Sequence, residues 1–355
     1  MADWNYLCRE AILRSLCRWK ECRAQLAGRR FHCLALAGAV PDAVFVNCDM
    51  TVSCNCQDFD ATGRLGDLRR QSFEEVFAGA IATEFRRSLA AGKLPISRCG
   101  ACWHLRTCAP SEADALAQGW RLPKGLGVEN TVVCNLRCRS CCREEVMRHR
   151  GGRVRLSLDD VTRVAETLSH LGAEYCGYYN LGEPFLSPTI CEELRILRQL
   201  NPTMRLFTST NGLALDTDAK REAALLLDEM VISLDGVDTA MVRRYQRGGD
   251  FDRAYENLRA MAAYRDARGR RRPTILWKYV LFRWNDAPAT VRRAIALAEA
   301  AGVDGLQLTS SRTPLRGVSW RFHLSPFYRR LAPRQGRFRH VWLTRAPRGT
   351  PDEPG

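Results

Sequence analysis

Residues 128–142 read VENTVVCNLRCRSCC, and the rest of the chain is organised around this stretch. An extended run ends at Val133 and delivers Cys134, Cys138 and Cys141 in Cys-x3-Cys-x2-Cys spacing. Three thiolates on one short loop can bind three irons of a cubane cluster, because soft sulfur suits iron and the span keeps them within one ligand sphere. One iron then lacks a protein ligand, and an open position can bind and polarise a small molecule where a closed structural site cannot. Taken alone, the three thiols fit a structural zinc site or a group of buried thiols as well. Cys142 follows at once, and its side chain is expected to point away from the set.

Downstream, strands and helices alternate as βα units. GVENTVV leads into the cysteine loop, and SLDDVTRVAETLSHLG follows as a helix with Ser157 and Asp160 as its capping box. Val161, Val164, Leu168 and Leu171 make its apolar face. The strands EYCGYYNLGEP, RLFTSTNG, MVISLDG, TILWKYVLFRWND and VDGLQLTS are separated by helical segments, which completes six units. The fold class expected is α/β: a partial (βα)6 TIM-like barrel with binding groups at the carboxyl ends of its strands. Polar residues collect at those ends: Gly182-Glu183-Pro184, then Ser209 and Asn211, then Ser233 and Asp235, then Gln307 beside Leu308. Lys278, Tyr279 and Asn285 are further candidates, and Tyr178 and Tyr179 face the same end.

Cysteine loop, GEP, STNG and SLDG, in that order and at strand ends, resemble the radical S-adenosylmethionine (radical SAM) superfamily. The resemblance implies a [4Fe–4S] cluster on Cys134, Cys138 and Cys141 whose open iron chelates S-adenosyl-L-methionine. It further implies reductive cleavage to a 5′-deoxyadenosyl radical, hydrogen abstraction from a substrate, and a reductase or a flavodoxin or ferredoxin as electron donor. Gly182, Glu183 and Pro184 resemble the family's GGEP motif with Leu181 in its first position, so that Glu183 would accept from the SAM amino group. Ser209 and Asn211 match the TNG turn, Ser233 and Asp235 the positions that bind ribose or carboxylate, and Gln307 and Leu308 the adenine pocket. Ser140 stands where the family usually carries an aromatic residue.

Upstream, residues 31–108 hold a second cysteine set. The strand ending in CNCQD, the turn GRLGDL, the helix SFEEVFAG and the knuckle Cys99-x2-Cys102-x5-Cys108 resemble a SPASM or twitch auxiliary iron–sulfur domain. That module normally follows the radical SAM core, and here it precedes it. Its motif also continues with cysteines that this chain lacks. The resemblance implies one auxiliary [4Fe–4S] cluster on Cys54, Cys99, Cys102 and Cys108, with Cys33, Cys48 and Cys56 as rivals, and a zinc knuckle as the plain alternative. The domains expected are a helix over 1–30, this small α+β domain over 31–108, a polar connector over 109–125, the core over 126–312 and a basic extension over 313–355, partly disordered, with a helix in WRFHLSPFYRRL. Trp4, Leu7, Ile12, Leu13, Leu16, Trp19 and Leu26 form the expected apolar face of the first helix, with Cys8, Cys17 and Cys22 read as core.

Sixteen cysteines in 355 residues suit metal ligation, because persistent disulfides are disfavoured in a reducing compartment. Cys176 and Cys191 read as ordinary buried residues. No run approaches a membrane span, and the charged start MADWNYLCREAILRSLCRWKECR is not a secretory signal, so a cytoplasmic location is expected. The net charge of +15 admits an anionic partner, but nine of the arginines lie in the extension, and RDARGRRRP at 265–273 lacks interleaved aromatics. Both patches read as solvated surface, and nucleic acid is not the expected partner. The activity expected is hydrogen abstraction from a peptide or a small polyhydroxylated molecule. The competing readings are a zinc-stabilised binding module and a basic nucleic-acid modifier, the latter predicting steep salt dependence.

Overall fold

Period-two burial is clearest in TILWKYVL. Ile275, Trp277, Tyr279 and Leu281 are buried while Leu276, Lys278 and Val280 between them are half exposed, so one face of this strand is covered and the other stays open. The computed structural model describes residues 4–311, 314–329, 331 and 340–344, and its contacts divide them into two units.

The first unit comprises residues up to Val133, Cys142–Gly182 and Arg195–Leu206. Its strands are β1 (Arg30–Cys33), β2 (Phe45–Val46), β3 (Thr51–Ser53), β4 (Arg64–Asp67), β5 (Leu105–Cys108), β6 (Gly125–Val128) and β7 (Tyr175–Tyr178). Its helices are α1 (Trp4–Leu26), α2 (Phe73–Ala78), α3 (Ala80–Ala90), α4 (Pro110–Gln118), α5 (Arg143–Arg148) and α6 (Leu158–His170). β1 and β5 pair antiparallel as a separate ribbon. β7, β6 and β2 run parallel side by side, and β3 and β4 continue from β2 antiparallel. Ser72 caps α2 and Ser157 caps α6 through boxes with Glu75 and Asp160, and Val161, Val164, Leu168 and Leu171 of α6 are buried as expected. In the stretch read as a polar connector, Pro110 opens α4 and the Glu112 carboxylate accepts the Ala109 N–H at 3.0 Å.

Helix α1 forms, but with a different face. Ile12 (57%), Trp19 (53%) and Leu26 (83%) are exposed, while Leu13, Cys17 and Ala24 are buried. A Cβ on Gly100 would lie 2.5 Å from the Leu13 carbonyl and 3.1 Å from Cys17 Sγ, so the helix backbone approaches the 3-10 turn Ser97–Ala101 too closely for bulky residues. Cys22 is exposed, not core, and the side chain of Cys8 lies outside the described residues.

α7 (Ile190–Leu200) and β8 (Arg205–Thr210) span the division of the chain. The second unit continues with α8 (Asp218–Ala224), β9 (Glu229–Ser233), α9 (Thr239–Arg243), α10 (Phe251–Ala267), β10 (Thr274–Leu281), α11 (Pro288–Ala300), β11 (Gly305–Ser310), α12 (Trp320–Leu324), α13 (Pro326–Arg329) and β12 (His340–Thr344). β8 to β12 lie side by side in chain order, all parallel. Trp277 packs 6.3 Å from Phe251 and 6.0 Å from Tyr255, centroid to centroid, which puts α10 on the covered face of β10. The six expected strands are β6 to β11, and parallel strands joined by helices establish the α/β class with the repeat of a TIM-like fold. β12 was not expected. The disorder expected of the extension falls largely on 332–339 and 345–355, outside the described residues.

Candidate iron–sulfur and cofactor site

In the second unit, the cysteine loop lies along residues 245–247 as a strand would. The Arg137 N–H donates to the Arg247 carbonyl and the Arg139 N–H to the Tyr245 carbonyl, both at 3.0 Å. The Leu136 N–H donates to Cys134 Sγ at 3.4 Å, and a backbone donor on sulfur favours the thiolate that binds iron. Burial pushes the Cys138 thiol above its ordinary value, and the charges of Cys141, Asp235 and Cys134 push it the same way. That neighbourhood disfavours bare thiolates and suits a cationic iron core that shares their charge. Among the described residues no three His, Cys, Asp or Glu side chains converge to hold one metal ion. A cluster does not require such convergence, since each thiol takes a different iron. The loop therefore fits a three-thiol cluster.

Glu183 and the turn after β8 brace this loop. The Glu183 carboxylate is 2% exposed and accepts from Thr210 Oγ1 at 2.6 Å, the Asn211 N–H at 2.7 Å and the Phe185 N–H at 3.2 Å. Burial raises its carboxyl above the ordinary value, and the three donors pull it back. Asn211 carries the support onward: its Nδ2 donates to Asn135 Oδ1 at 2.8 Å and lies 3.9 Å from Cys134 Sγ. Gly212, at φ +78°, lets the turn close. Within the protein the Glu183 carboxylate thus accepts three donors, two on one oxygen and one on the other. Pro184 is buried directly after it. In the first unit, a Cβ on Gly182 would fall 2.0 Å from the Thr131 carbonyl oxygen, so only glycine fits where the GEP turn passes the approach to the cysteine loop.

Across the open faces of β9, β10 and β11, Ser233, Lys278 and Gln307 occupy one row, with Ser209 half buried on β8. Leu308 does not join them: it is fully buried, in register with Tyr279 on the opposite face. Asp235 is 3% exposed and accepts the Val280 N–H at 2.8 Å. Burial pushes its carboxyl up to about 7, against the pull of that bond and of Lys278. Asn285, fully buried, donates to the Asp235 and Val280 carbonyls and so binds two strand ends together. Sequence reasoning missed Gln246, whose amide accepts the Asp235 N–H at 2.9 Å and donates to the Ser233 carbonyl at 3.0 Å. No spacing marks this residue; its one signal is its place just before the Gly248–Gly249 turn that abuts Asn135. Tyr178 is fully buried, and Tyr179 stacks edge-on to Phe45 in the first unit.

The first unit holds the second thiol set. Cys33 ends β1, Cys54 follows β3, and Cys99 and Cys102 flank the end of the turn after α3; the four line one pocket. Burial raises Cys33 to about 11, Cys99 to about 12, and Cys54 well above its ordinary value. Mutual charge adds to each: Cys102 acts on Cys33, Cys33 and Cys99 on Cys54, and Cys33 and Cys102 on Cys99. Cys108 is not among them. It pairs in register with Arg30 at the other end of the β1–β5 ribbon, and its charged neighbours are Glu112 and Arg29. Cys48 is enclosed beside Glu129 and Arg150, donating to the Arg153 carbonyl at 3.5 Å, and Cys56 is exposed. Of the thiols that the resemblance implied, Cys54, Cys99 and Cys102 thus lie together with the rival Cys33, and Cys108 lies apart. Cys176 is buried as expected, whereas Cys191 is only partly covered, with its thiol on the Ala219 carbonyl.

Residues 128–267 match the family model described as the Radical SAM superfamily. The GTP 3′,8-cyclase of Mycobacterium sp. (strain KMS) is 30% identical over 148 residues, 41% of this chain and 41% of that protein. The GTP 3′,8-cyclase of Streptomyces coelicolor is 30% identical over 148 residues, 41% of this chain and 42% of that protein. The matched segment thus spans about two-fifths of the length of these relatives. Among solved structures, Streptococcus suis SuiB bound to the precursor peptide SuiA aligns with a TM-score of 0.47 at 14% identity, covering 85% of this chain and 67% of that one. Residues 128–267 form a radical SAM domain. For that domain the family implies a [4Fe–4S] cluster and SAM. No helix among the described residues is long and apolar enough to cross a membrane.

Proposed function

We propose that this enzyme abstracts hydrogen from a peptide or a small polyhydroxylated substrate and that the substrate radical then loses a proton and one electron, for a net two-electron oxidation. The observation that carries this reading is the four-thiol set Cys33, Cys54, Cys99 and Cys102. Four thiols on a cubane leave no iron free for a substrate, so such a centre is suited to taking up an electron and not to binding a ligand. Cys134, Cys138 and Cys141 would hold the cluster that, with SAM, would supply the 5′-deoxyadenosyl radical, and Cys33, Cys54, Cys99 and Cys102 would hold one suited to taking up the electron. In this reading residues 31–108 are the auxiliary module and 126–312 the core. Ser209, Ser233, Lys278 and Gln307 meet SAM on the open strand faces, while Glu183, Asn211, Asp235 and Gln246 hold the turns that place them. A low-potential reductase, flavodoxin or ferredoxin supplies the first electron.

The test is iron and sulfide content after anaerobic reconstitution, with 5′-deoxyadenosine measured after SAM and dithionite are added. Wild type should hold about eight irons, and the Cys134→Ala/Cys138→Ala/Cys141→Ala protein about four, with deoxyadenosine lost. Cys33→Ala should also fall to about four irons, whereas Cys108→Ala should keep about eight. Zinc in place of iron, or the reverse behaviour of Cys33 and Cys108, refutes the assignment.

A further inference from the structure

The buried stripe of α3 is Ala82, Arg86 and Leu89, so a guanidinium occupies a core position. Arg86 is 5% exposed, and the structure gives it no ion pair with any described carboxylate. Its Nε donates to the Leu36 carbonyl and its Nη2 to the Phe77 carbonyl, both at 2.9 Å. The guanidinium lies 4.5 Å from the Trp120 ring centroid and 4.8 Å from that of Phe77. Its Nη1 is buried with no hydrogen-bond partner. Arg86 and Cys33 line the same cavity, and Cys33 also lines the neighbouring cavity with Cys54, Cys99 and Cys102.

A buried cation without an anion is costly, and a buried donor without an acceptor adds to the cost. Neutralisation does not relieve it: burial pushes Arg86 down to about 10, which leaves it charged near neutral pH, and the Cys33 thiolate opposes the fall. The group that opposes this fall is Cys33, whose sulfur would be anionic as a cluster ligand. We propose that Arg86 is the charge partner of the four-thiol centre and sets its reduction potential, with Nη1 directed to the Cys33 side of the cluster; this rests on the four-thiol reading above. Reduction adds one negative charge to a site that is already negative. A fixed buried cation favours the reduced form more than the oxidised one and raises the potential, as hydrogen bonds and charge near cluster sulfur do generally. The reaction concerned is one-electron reduction of the cluster, with dithionite as donor in the test and no proton transfer at Arg86. Its consequence for function is direction: a raised potential makes the centre a better acceptor of the substrate's electron.

The test uses the full chain carrying Cys134→Ala, Cys138→Ala and Cys141→Ala, so that only the four-thiol centre is reconstituted, and reads its midpoint potential by EPR-monitored redox titration. Arg86→Met should keep about four irons and titrate at lower potential, the ratio of reduced to oxidised cluster at the parent midpoint falling about tenfold, or 59 mV for one electron. Arg86→Lys, which keeps the charge, should recover most of that shift and also serves if the methionine variant does not fold. A midpoint unchanged in Arg86→Met with iron retained overturns the proposal, as does an Arg86→Lys midpoint displaced as far as that of Arg86→Met. If the parent itself binds no iron, the four-thiol reading fails and this proposal falls with it; an iron-replete parent separates the two.

Discussion

Glu183→Gln is conservative in shape and not in hydrogen bonding. Thr210 Oγ1 and the Phe185 N–H converge on one carboxylate oxygen, and the Asn211 N–H on the other. A glutamine amide offers one oxygen, so in either orientation its NH2 faces a backbone N–H, that of Asn211 or that of Phe185. Orphaning a buried donor costs about 1–3 kcal/mol, and all three charge-assisted bonds become neutral or are lost. Against this, the substitution removes a buried charge. That relief is limited, because the same donors already pull the Glu183 carboxyl back against the effect of burial. The expected net loss is about 1–2 kcal/mol at neutral pH. The damage should be local, since Asn211 links Glu183 to Asn135 and Cys134. In hydrogen–deuterium exchange, peptides covering 207–215 and 134–141 should exchange about tenfold faster, the equivalent of about 1.4 kcal/mol of local opening. Peptides of α10 should not change. Exchange equal to wild type in both segments would refute the bracing role of Glu183; faster exchange in the turn alone would refute its transmission to the cysteine loop.

Three further outcomes follow from the first unit. Arg150→Met should destabilise by about 3–5 kcal/mol, because Arg150 and Glu129 form an ion pair at 2.9 Å with both side chains no more than 2% exposed, and the variant strands the carboxylate. Adding Glu129→Gln should restore most of that loss in thermal melts at matched scan rate; a double variant no better than the single one counts against the pair. Gly182→Ala should lower the melting temperature and the iron content of the three-thiol loop together, since its Cβ would meet backbone at 2.0 Å; full iron loading with an unchanged melt shows the clash is not real. Asp58 gives a pH signature. Burial raises its carboxyl above the ordinary 3.8, against bonds from the Gly63 N–H and Ser53 Oγ, so the stability it contributes is complete below 3.8 and is lost as pH rises through the folded value. The stability advantage of wild type over Asp58→Asn should therefore shrink as pH rises from about 4 toward neutrality, and an advantage that widens instead would reverse the assigned shift.

The core was legible because it is written in periods. Alternation in TILWKYVL and the three-to-four spacing of α6 report which side is covered, and both came out as expected. The N-terminal helix was misread for a physical reason: its contact with the turn at Ser97–Ala101 is so close that small residues, Cys17 and Ala24, face the protein, while Ile12, Trp19 and Leu26 look outward. Period analysis favours the bulkiest stripe, and close packing selects the leanest. The exchange of Cys108 for Cys33 has a similar origin. Spacing sees a knuckle, but the ribbon register sets Cys33 against Leu105 and Cys108 against Arg30, so only one end of the ribbon reaches the other thiols. Charge was misread locally as well. Arg265, taken as solvated, is 1% exposed and bonded to Asp304 and Asp266, and Arg268 and Arg272 pair with Glu222 and Asp228. Arg265 is thus neutralised within the fold, whereas Arg268, Arg270, Arg271 and Arg272 are exposed as expected.

Strand order explains how the N-terminal cysteines come to lie near β6. β2 lies parallel beside β6, the strand that leads into the cysteine loop, and β3 returns antiparallel to deliver Cys54. Cys54 is thereby carried to the β2 edge of β6 by two short strands. Parallel pairing at that edge requires a crossover, which the chain supplies through the span from α2 to α4. That span carries Cys99 and Cys102 on its turn and Arg86 on its helix. The connection demanded by topology is therefore the same segment that supplies two of the four thiols and the cation beside them.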